Sequence, residues 1–302
     1  KYDTAYGKAN FDVEMIMPGG AEEPGFVVDG KKVVLVQEKD PTKLPWAKYN
    51  IDIVVESTGM FTSPEKAKVH LDAGAKRVVI TAPMKGAAPE GISACTALMG
   101  INDGDIAGSQ ITSNGSCTTN AAAPVIQIIH EKIGVVKAIL NTTHAYTATQ
   151  KLIDGPGGKD ARGGRAAAMN MVPSSTGAAI AVTEVVPDLK GKFDGISVRV
   201  PVIAGSIADV TFITKRATSV EEINQILRDA ANDPRWKGIF AVTDEPIVSS
   251  DIVGSEYGSI ADLDMTRVVD GDLVKVLAWY DNEMGYTSTL VKHVKAVVLG
   301  LA

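Results

Sequence analysis

The segment Ser113–Asn120 reads Ser-Asn-Gly-Ser-Cys-Thr-Thr-Asn, and the character of the chain changes at this point. An apolar strand-like run precedes the segment and an apolar helix-like run follows it. A cysteine that only fills a core is expected among Val, Leu and Ile. Cys117 instead lies among hydroxyls and amides at a strand-to-helix junction, facing unpaired backbone N–H groups and the positive end of the helix dipole. These conditions favour the thiolate, so the segment predicts a nucleophilic cysteine.

The residues before this junction predict a parallel sheet. Ile51–Glu56 and Arg77–Thr81 are continuous apolar runs, and Ser63–Ala73 between them is a helix opened by Ser-Pro-Glu. A strand, helix and strand without polar alternation are typical of a βαβ unit in a sheet buried on both faces. Ligands of such sheets bind beyond the carboxyl ends of the strands, which here are the small polar segments Ser57–Gly59 and Thr81–Pro83.

The residues after the junction predict a second domain. Strand-like runs follow one another with fewer helices between them, at 135–142, 195–200, 208–214 and 273–280. This order is typical of a largely antiparallel sheet. A final helix at Met284–Leu299 is predicted to return to the first domain.

Composition narrows the classes of function. The chain has 302 residues and a net charge of −6, which argues against a general nucleic-acid or acidic-membrane surface. No apolar run approaches the roughly 18 residues of a membrane span, and no signal peptide is recognisable. Two cysteines, Cys95 and Cys117, form no disulfide framework and fit a reducing cytosol. No metal-ligand spacing occurs, so we predict no metal site.

A nucleophilic Cys117 needs a second activator. A free cysteine is only about 3% thiolate at pH 7, and a helix terminus lowers its pKa by less than about one unit. The usual activator is an imidazole. Three of the four histidines, His70, His130 and His293, lie in charged helical patterns and are interpreted as solvated. His144 follows a strand in a polar cluster, where it is either the partner of Cys117 or a hydrogen-bonded structural histidine.

Two features indicate anion binding. The segment Ser174–Gly177 precedes a helix-like run and can form either an anion site or a plain N-cap. Arg199 lies within an apolar strand, where an arginine is seldom buried without an anionic partner.

Several motifs then occur in an order that resembles the phosphorylating glyceraldehyde-3-phosphate dehydrogenase family. They are SNGSCTTN at 113–120, HAYTATQ at 144–150, DGP at 154–156 with RGGRAAA at 162–168, VPSSTGAA at 172–179, RVP at 199–201, EPIVSSDIVG at 245–254 and WYDNEMGY at 279–286. The resemblance runs from Lys1 to the C-terminus.

The resemblance implies a role for individual residues. Cys117 would add to the aldehyde of glyceraldehyde 3-phosphate, His144 would enhance the thiolate and take the hydroxyl proton, and inorganic phosphate would cleave the resulting thioester. One implied phosphate site contains Thr147 and Arg199; the other contains Ser116, Thr118, Thr176 and Gly177. The implied NAD-binding residues are Ser57, Thr58, Gly59, Thr81, Asn282, which would hold the nicotinamide amide, and Tyr286.

The resemblance also implies an assembly and a location. Family members are usually cytoplasmic homotetramers, and the loop Asp154–Arg165 would reach a neighbouring subunit's cofactor. Pro156 in this loop is similar to the residue found in family members that prefer NAD. The partners would be a sugar phosphate and inorganic phosphate, with no nucleic acid and no membrane.

One expected element is absent from the sequence. No G-x-G-x-x-G fingerprint lies between a strand and a helix. The family's first βαβ unit would precede Lys1, in a segment of about 40–50 residues that this sequence does not contain. We therefore expect an α/β fold with an N-terminally incomplete Rossmann-type parallel sheet domain, residues 1–116 with 281–302. A catalytic α+β domain with a mostly antiparallel sheet would comprise residues 117–280.

Three other functions stay open from the sequence. The first is an erythrose-4-phosphate dehydrogenase of the same family. The second is a non-catalytic binding protein that lacks a complete cofactor site. The third, a Cys–His hydrolase, would have no use for the Ser-Thr-Gly strand end or for two phosphate sites.

Overall fold

The computed structural model describes residues 1–17, 23–158 and 160–301, so Lys159 of the predicted loop lies outside the described residues. The chain begins with two small antiparallel sheets. Their strands are β1 (Tyr2–Asp3) and β2 (Gly7–Lys8), then β3 (Val13–Ile16), β4 (Gly25–Val28) and β5 (Lys31–Val34).

A four-stranded sheet follows, and every neighbouring pair in it is parallel. Its elements are β6 (Ile53–Glu56), α1 (Pro64–Asp72), β7 (Arg77–Ile80), β8 (Ala94–Thr96) and β9 (Ile111–Ser113), with strand order β6-β7-β9-β8. Helix α1 begins where the Ser63 side chain accepts the Lys66 N–H, as the Ser-Pro-Glu signal predicted. The parallel sheet expected before the junction is therefore confirmed.

Helix α2 (Cys117–Lys132) begins at the cysteine itself, four residues before the apolar run that predicted it. The reason is a reciprocal cap. The Ser116 hydroxyl accepts the Thr119 N–H at 3.1 Å, and the Thr119 hydroxyl accepts the Ser116 N–H at 3.2 Å. The polar residues of the junction thus form the first turn of the helix, and Cys117 occupies its first position.

A seven-stranded mixed sheet forms the rest of the fold. Its elements are β10 (Val135–Ala145), β11 (Val172–Ser175), α3 (Ala178–Val185), β12 (Phe193–Val200), β13 (Ser206–Thr214), α4 (Val220–Asn232), β14 (Phe240–Thr243), β15 (Ser259–Val269) and β16 (Leu273–Tyr280). The strand order is β11-β12-β10-β13-β16-β15-β14, and only β10–β12 and β14–β15 are parallel. The expectation of a mostly antiparallel sheet is confirmed. Buried apolar residues of α2, α3 and α4 pack with its inner face in one core.

Helix α5 (Met284–Leu299) ends the fold and packs back on the parallel sheet, where Val297 shares a core with Val79. His293 on this helix is fully buried; its Nε2 lies 2.7 Å from the Thr112 hydroxyl and its Nδ1 lies 3.2 Å from the Ala97 carbonyl oxygen. The interpretation of His293 as solvated was wrong, since the charged neighbours in its sequence lie on another face of the helix. Within the ranges that the structure describes, no helix is long and apolar enough to cross a membrane.

Candidate active site

Cys117 and His144 lie side by side. Cys117 is the half-buried first residue of α2, and His144 is a buried residue near the end of β10. The Cys117 Sγ lies 3.4 Å from the His144 Nε2. The geometry therefore joins the two residues that the sequence could only suggest as a pair.

Arg199 completes this group because of the strand register. In the parallel pairing of β10 with β12, His144 lies opposite Arg199. The Arg199 Nη1 is 2.6 Å from the His144 Nδ1, and the carbonyl oxygen of Ala145 is 2.7 Å from the same nitrogen. A guanidinium only donates and a carbonyl only accepts, so Nδ1 of a neutral imidazole can satisfy one of them at a time. The position of Arg199 therefore decides which ring nitrogen of His144 carries the proton.

Burial governs the ionisation of this pair. It lowers the pKa of His144 to about 4, with the positive charge of Arg199 as the second cause. Burial also raises the pKa of Cys117, and this outweighs the hydrogen bonds from Thr118 and the charge of Arg199, which lower it. The backbone N–H groups at the helix start lower this pKa, as expected, but desolvation is the larger effect. Both shifts favour the uncharged forms of the thiol and the imidazole in this pair.

Tyr280 contacts His144 and Thr118, the residue after Cys117. Its hydroxyl is 2.9 Å from the Thr118 hydroxyl and 2.8 Å from the Thr142 hydroxyl, and its ring meets the His144 ring edge-on at 5.9 Å. Thr118 is only 4% exposed, so its side chain belongs to this buried network. A phosphate-binding role for Thr118 stays a prediction.

The other predicted phosphate residues have local partners. The Thr147 hydroxyl lies 2.8 Å from the Thr149 hydroxyl, and the Thr176 hydroxyl accepts the Ala178 N–H at 3.1 Å where α3 begins. Gly177 is the exposed N-cap of α3. Among the described residues, no hydrogen bond joins Thr147, Thr176 or Gly177 to the Cys117–His144–Arg199 group.

A small pocket of about 110 Å³ adjoins Arg199. Its lining includes Gln150, Ser174 and Asp160, besides Arg199 itself. The amide nitrogen of Gln150 is buried and has no hydrogen-bond partner within the described structure. Arg199 and the Gln150 amide suit an anionic group, whereas the Asp160 carboxylate, which lies 4.0 Å from Arg162, opposes one.

The ends of β6 and β7 are joined through Glu56. The Thr58 N–H donates to the Glu56 Oε1 at 2.8 Å, and the Thr58 hydroxyl donates to the same oxygen. The Thr81 N–H and hydroxyl donate to the Glu56 backbone carbonyl at 3.0 and 3.1 Å. Ser57 and Gly59 flank Thr58 in this exposed turn. The four predicted residues therefore lie at adjacent strand ends.

His70 contacts this turn through the side chain of Glu56. It is only 4% exposed; its Nε2 lies 2.9 Å from the Glu56 Oε2, and its Nδ1 accepts the Trp46 indole N–H at 3.2 Å. The interpretation of His70 as solvated was therefore wrong. Sequence reasoning missed Glu56 and Trp46 as well, because their contacts with His70 join segments that no spacing relates.

Asn282 lies on the other side of the site. Its Oδ1 accepts the Gly205 N–H at 3.2 Å and the Ser206 hydroxyl at 3.0 Å. The Ser206 oxygen also accepts the Ala145 N–H at 3.1 Å, next to His144. Ser206 thus links the strand that carries the histidine to the asparagine, a role that no motif in the sequence signalled.

The chain resembles known proteins along almost its whole length. The model of the glyceraldehyde 3-phosphate dehydrogenase C-terminal domain matches residues 116–282, and the model of the family's NAD binding domain matches residues 1–64. The glyceraldehyde-3-phosphate dehydrogenase of Clostridium pasteurianum is 45% identical over 97% of this chain and 84% of its own length. That of Mycobacterium leprae (strain TN) is 46% identical over 98% of this chain and 84% of its own length.

The chain belongs to the glyceraldehyde-3-phosphate dehydrogenase family. The resemblance drawn from its motifs is confirmed, and with it the assignment to a family of NAD-dependent oxidoreductases.

Residues on both sides of the site fit the family's cofactor, NAD. Gly59 has a φ of +73°, and a side chain there would meet nothing within 4 Å, so the turn after β6 presents open backbone. Because the Asn282 Oδ1 already accepts two hydrogen bonds, its amide Nδ2–H₂ group remains as the donor for a ligand amide. The Tyr286 hydroxyl donates to the Gly115 carbonyl at 3.3 Å and so lies beside the start of α2.

Proposed function

We propose that this chain catalyses the NAD-dependent oxidation of D-glyceraldehyde 3-phosphate with inorganic phosphate, giving 1,3-bisphosphoglycerate through a thioester on Cys117. The observation that carries the proposal is the group formed by Cys117, His144 and Arg199: a nucleophile and a permanent cation, each within hydrogen-bond distance of the imidazole that serves as base. The names of the curated relatives support the same reaction. No observation favours the erythrose-4-phosphate alternative.

The chemistry of the thiol follows from the tautomer of His144. When Nδ1–H donates to the Ala145 carbonyl, Nε2 carries a lone pair 3.4 Å from the Cys117 Sγ and can take the thiol proton. The sulfur then bonds to the aldehyde carbon, and the former carbonyl oxygen becomes the hydroxyl of a hemithioacetal. His144 Nε2 is placed to hold the proton of that hydroxyl. NAD, when bound, supplies the acceptor for the hydride that this oxidation removes.

Phosphate completes the reaction. Attack of an inorganic phosphate oxygen on the thioester carbon breaks the carbon–sulfur bond, returns the electron pair to Cys117 and releases the acyl phosphate. We assign Arg199 and Thr147 to one phosphate, and Ser116 and the N–H groups at the start of α2 to the other. Thr118, Thr176 and Gly177 join the second site in this proposal.

Arg199 couples phosphate binding to base formation. In the present arrangement its guanidinium lies on the Nδ1 of His144, the nitrogen that should donate to the Ala145 carbonyl. An anion on Arg199 draws the guanidinium away and offsets its charge. Nδ1 is then free to carry the proton, which leaves Nε2 as the base.

We propose that residues 1–116 with 281–302 form the cofactor domain and that residues 117–280 form the catalytic domain. The packing of α5 on the parallel sheet supports this division. The two cysteines are unpaired, which is consistent with a cytoplasmic enzyme.

A homotetramer is part of the proposal. The outer face of the seven-stranded sheet exposes Ile139, Ile196 and Val269, which are 61%, 54% and 58% exposed, beside a groove of about 760 Å³. Leu152 and Met169, on either side of the loop Asp154–Arg165, are more than 80% exposed. Exposed apolar side chains on one face of a sheet are typical of contacts between subunits. Sedimentation velocity tests it, and a monomer would contradict it.

The activity is tested by the absorbance of NADH. Purified enzyme with NAD, inorganic phosphate and glyceraldehyde 3-phosphate should form NADH, and Cys117→Ser should lower the rate by at least about a thousandfold. Cys95→Ser is the matched control and should retain the wild-type rate, since Cys95 packs in the core shared with Val297 and is not part of the proposed site. Absence of NADH formation by the wild type, or full activity of Cys117→Ser, would overturn the proposal.

A further inference from the structure

A buried carboxylate lies where the chain passes from the seven-stranded sheet to α5. Asp281 has no exposed surface. Its Oδ1 accepts the backbone N–H groups of Glu283 and Met284 at 2.9 and 3.0 Å, and its Oδ2 accepts the Gly254 N–H at 2.8 Å. These contacts hold the turn that opens α5 and join it to the segment before β15.

A fourth donor comes from the other end of the chain. The Tyr6 hydroxyl lies 2.8 Å from the Asp281 Oδ1 and 3.1 Å from its Oδ2, across a separation of 275 residues. Tyr6 is half-buried in the turn between β1 and β2. Its pKa is raised by burial and by the carboxylate that it faces, so the phenol stays protonated and donates. A hydrogen bond from a phenol to a buried carboxylate is of the strong, charge-assisted kind.

The Asp281 carboxylate precedes Asn282, the residue expected to face the cofactor. Asn282 follows Asp281 directly, and its Oδ1 is held by the Gly205 N–H and the Ser206 hydroxyl. The direction of the Asn282 Nδ2 therefore depends on how the turn at 281–284 is held against β13. Tyr6 contacts this turn through Asp281, and within the described residues no hydrogen bond joins Tyr6 to Asn282 or Ser206.

We propose that Tyr6 is a positioning residue for the nicotinamide end of the cofactor, acting through the Asp281 carboxylate on Asn282. The inference rests on the proposed function and on the role that the family resemblance implies for Asn282, which is to hold the nicotinamide amide. Without the phenol, Asp281 keeps its three backbone donors and the turn stays folded. The turn then moves more freely, and the side-chain amide of Asn282 is held less closely in the orientation that binds the nicotinamide amide.

The first test removes one hydroxyl. Tyr6→Phe should raise both the Kd of NAD, measured by quenching of tryptophan fluorescence, and the KM for NAD about three- to tenfold, with kcat changed less than about twofold. Tyr2→Phe is the matched control, because Tyr2 is in the same hairpin, is 76% exposed and should bind NAD as the wild type does. A merely structural Tyr6 would lower the melting temperature and leave NAD affinity unchanged.

The second test asks whether Tyr6 acts through Asn282. In an Asn282→Ala background, Tyr6→Phe should leave the Kd of NAD unchanged, since the group that Tyr6 positions is gone. Equal effects of Tyr6→Phe in both backgrounds would overturn the inference, as would an unchanged Kd in the single variant. Wild-type enzyme that forms NADH while Tyr6→Phe binds NAD normally overturns only the role of Tyr6. Wild-type enzyme that neither binds NAD nor forms NADH overturns the proposed function itself.

Discussion

The Nη1 of Arg199 lies 2.6 Å from the Nδ1 of His144, closer than any other side-chain nitrogen or oxygen that the structure places against this imidazole. The contact arises from the parallel register of β10 and β12, which sets the two residues opposite each other. It places a permanent positive charge on the base of the proposed reaction. The site is therefore built to change its protonation state when that charge is offset.

Substitution of Arg199 should raise the pKa of His144. In Arg199→Ala we expect this pKa to rise from about 4 by roughly one unit, because the charge of Arg199 is only the second cause of its depression and burial remains. Inorganic phosphate added to the wild type should shift it in the same direction. Carbon-13 labelling of the four histidines and NMR titration measure the change, with resonances assigned from His→Gln variants.

The matched control for this titration is Arg216→Ala. Arg216 forms an exposed ion pair with Glu222 and should leave the His144 titration unchanged. A pKa of His144 that responds neither to Arg199→Ala nor to phosphate would contradict the coupling.

Loss of the Ser206 hydroxyl should impair catalysis from a distance. Ser206→Ala removes one hydrogen bond to Asn282 and one from the Ala145 N–H. Since both contacts orient groups of the proposed site, kcat/KM for NAD should fall about tenfold. Steady-state kinetics measure it, and the exposed Ser250→Ala should behave as the wild type. Equal kinetics for the two variants would show that Ser206 orients neither group.

Neutralisation of Glu56 should destabilise the protein. Glu56→Gln presents an amide N–H₂ to the Nε2 of His70, which already carries a hydrogen because the Trp46 indole donates to the other ring nitrogen. Two buried donors then face each other, and we expect a loss of about 2–4 kcal/mol in the free energy of unfolding. Urea unfolding measures it. The exposed Glu65→Gln on α1 is the control, and a similar stability of the two variants would refute the arrangement.

Acid should destabilise the protein through His293. Burial lowers the pKa of His293 to about 4, below the 6.5 of a free histidine, so the unfolded chain binds more protons between these pH values. Stability is therefore lost as the pH falls below about 6.5, and this residue alone contributes a loss of about 2 kcal/mol by pH 5. Above pH 7 it contributes no pH dependence. Urea unfolding at pH 7 and pH 5 measures the difference, which should be smaller in His293→Gln; an equal loss in both proteins would exclude His293 as its source.

Local patterns predicted many of the elements, although strands such as β11, β14 and β15 were not predicted. The apolar runs around Ser63–Ala73 predicted a strand, helix and strand in a parallel sheet, and the structure has them as β6, α1 and β7. The setting of Cys117 predicted a cysteine at a helix start, and it is the first residue of α2. Such signals are readable because capping and hydrophobic periodicity depend on residues a few positions apart.

The sequence patterns did not predict which polar side chains are buried. His70 and His293 stand among charged residues in the sequence and yet lie in the interior. A helix shows only which residues share a face, and which face is covered depends on the partner that packs there. The same reason explains Cys117, whose net pKa shift is decided by desolvation from elements distant in sequence.

The sequence by itself determined the family, the chemistry of Cys117 as a candidate nucleophile and the order of the elements, because these depend on residue types and short spacings. Only the tertiary structure decided that His144 Nε2 lies 3.4 Å from the Cys117 sulfur, that Arg199 lies on the far nitrogen of the same ring, and that Tyr6 meets Asp281. Each of these contacts joins atoms whose separation is fixed by sheet register and helix packing. No spacing along the chain encodes such distances.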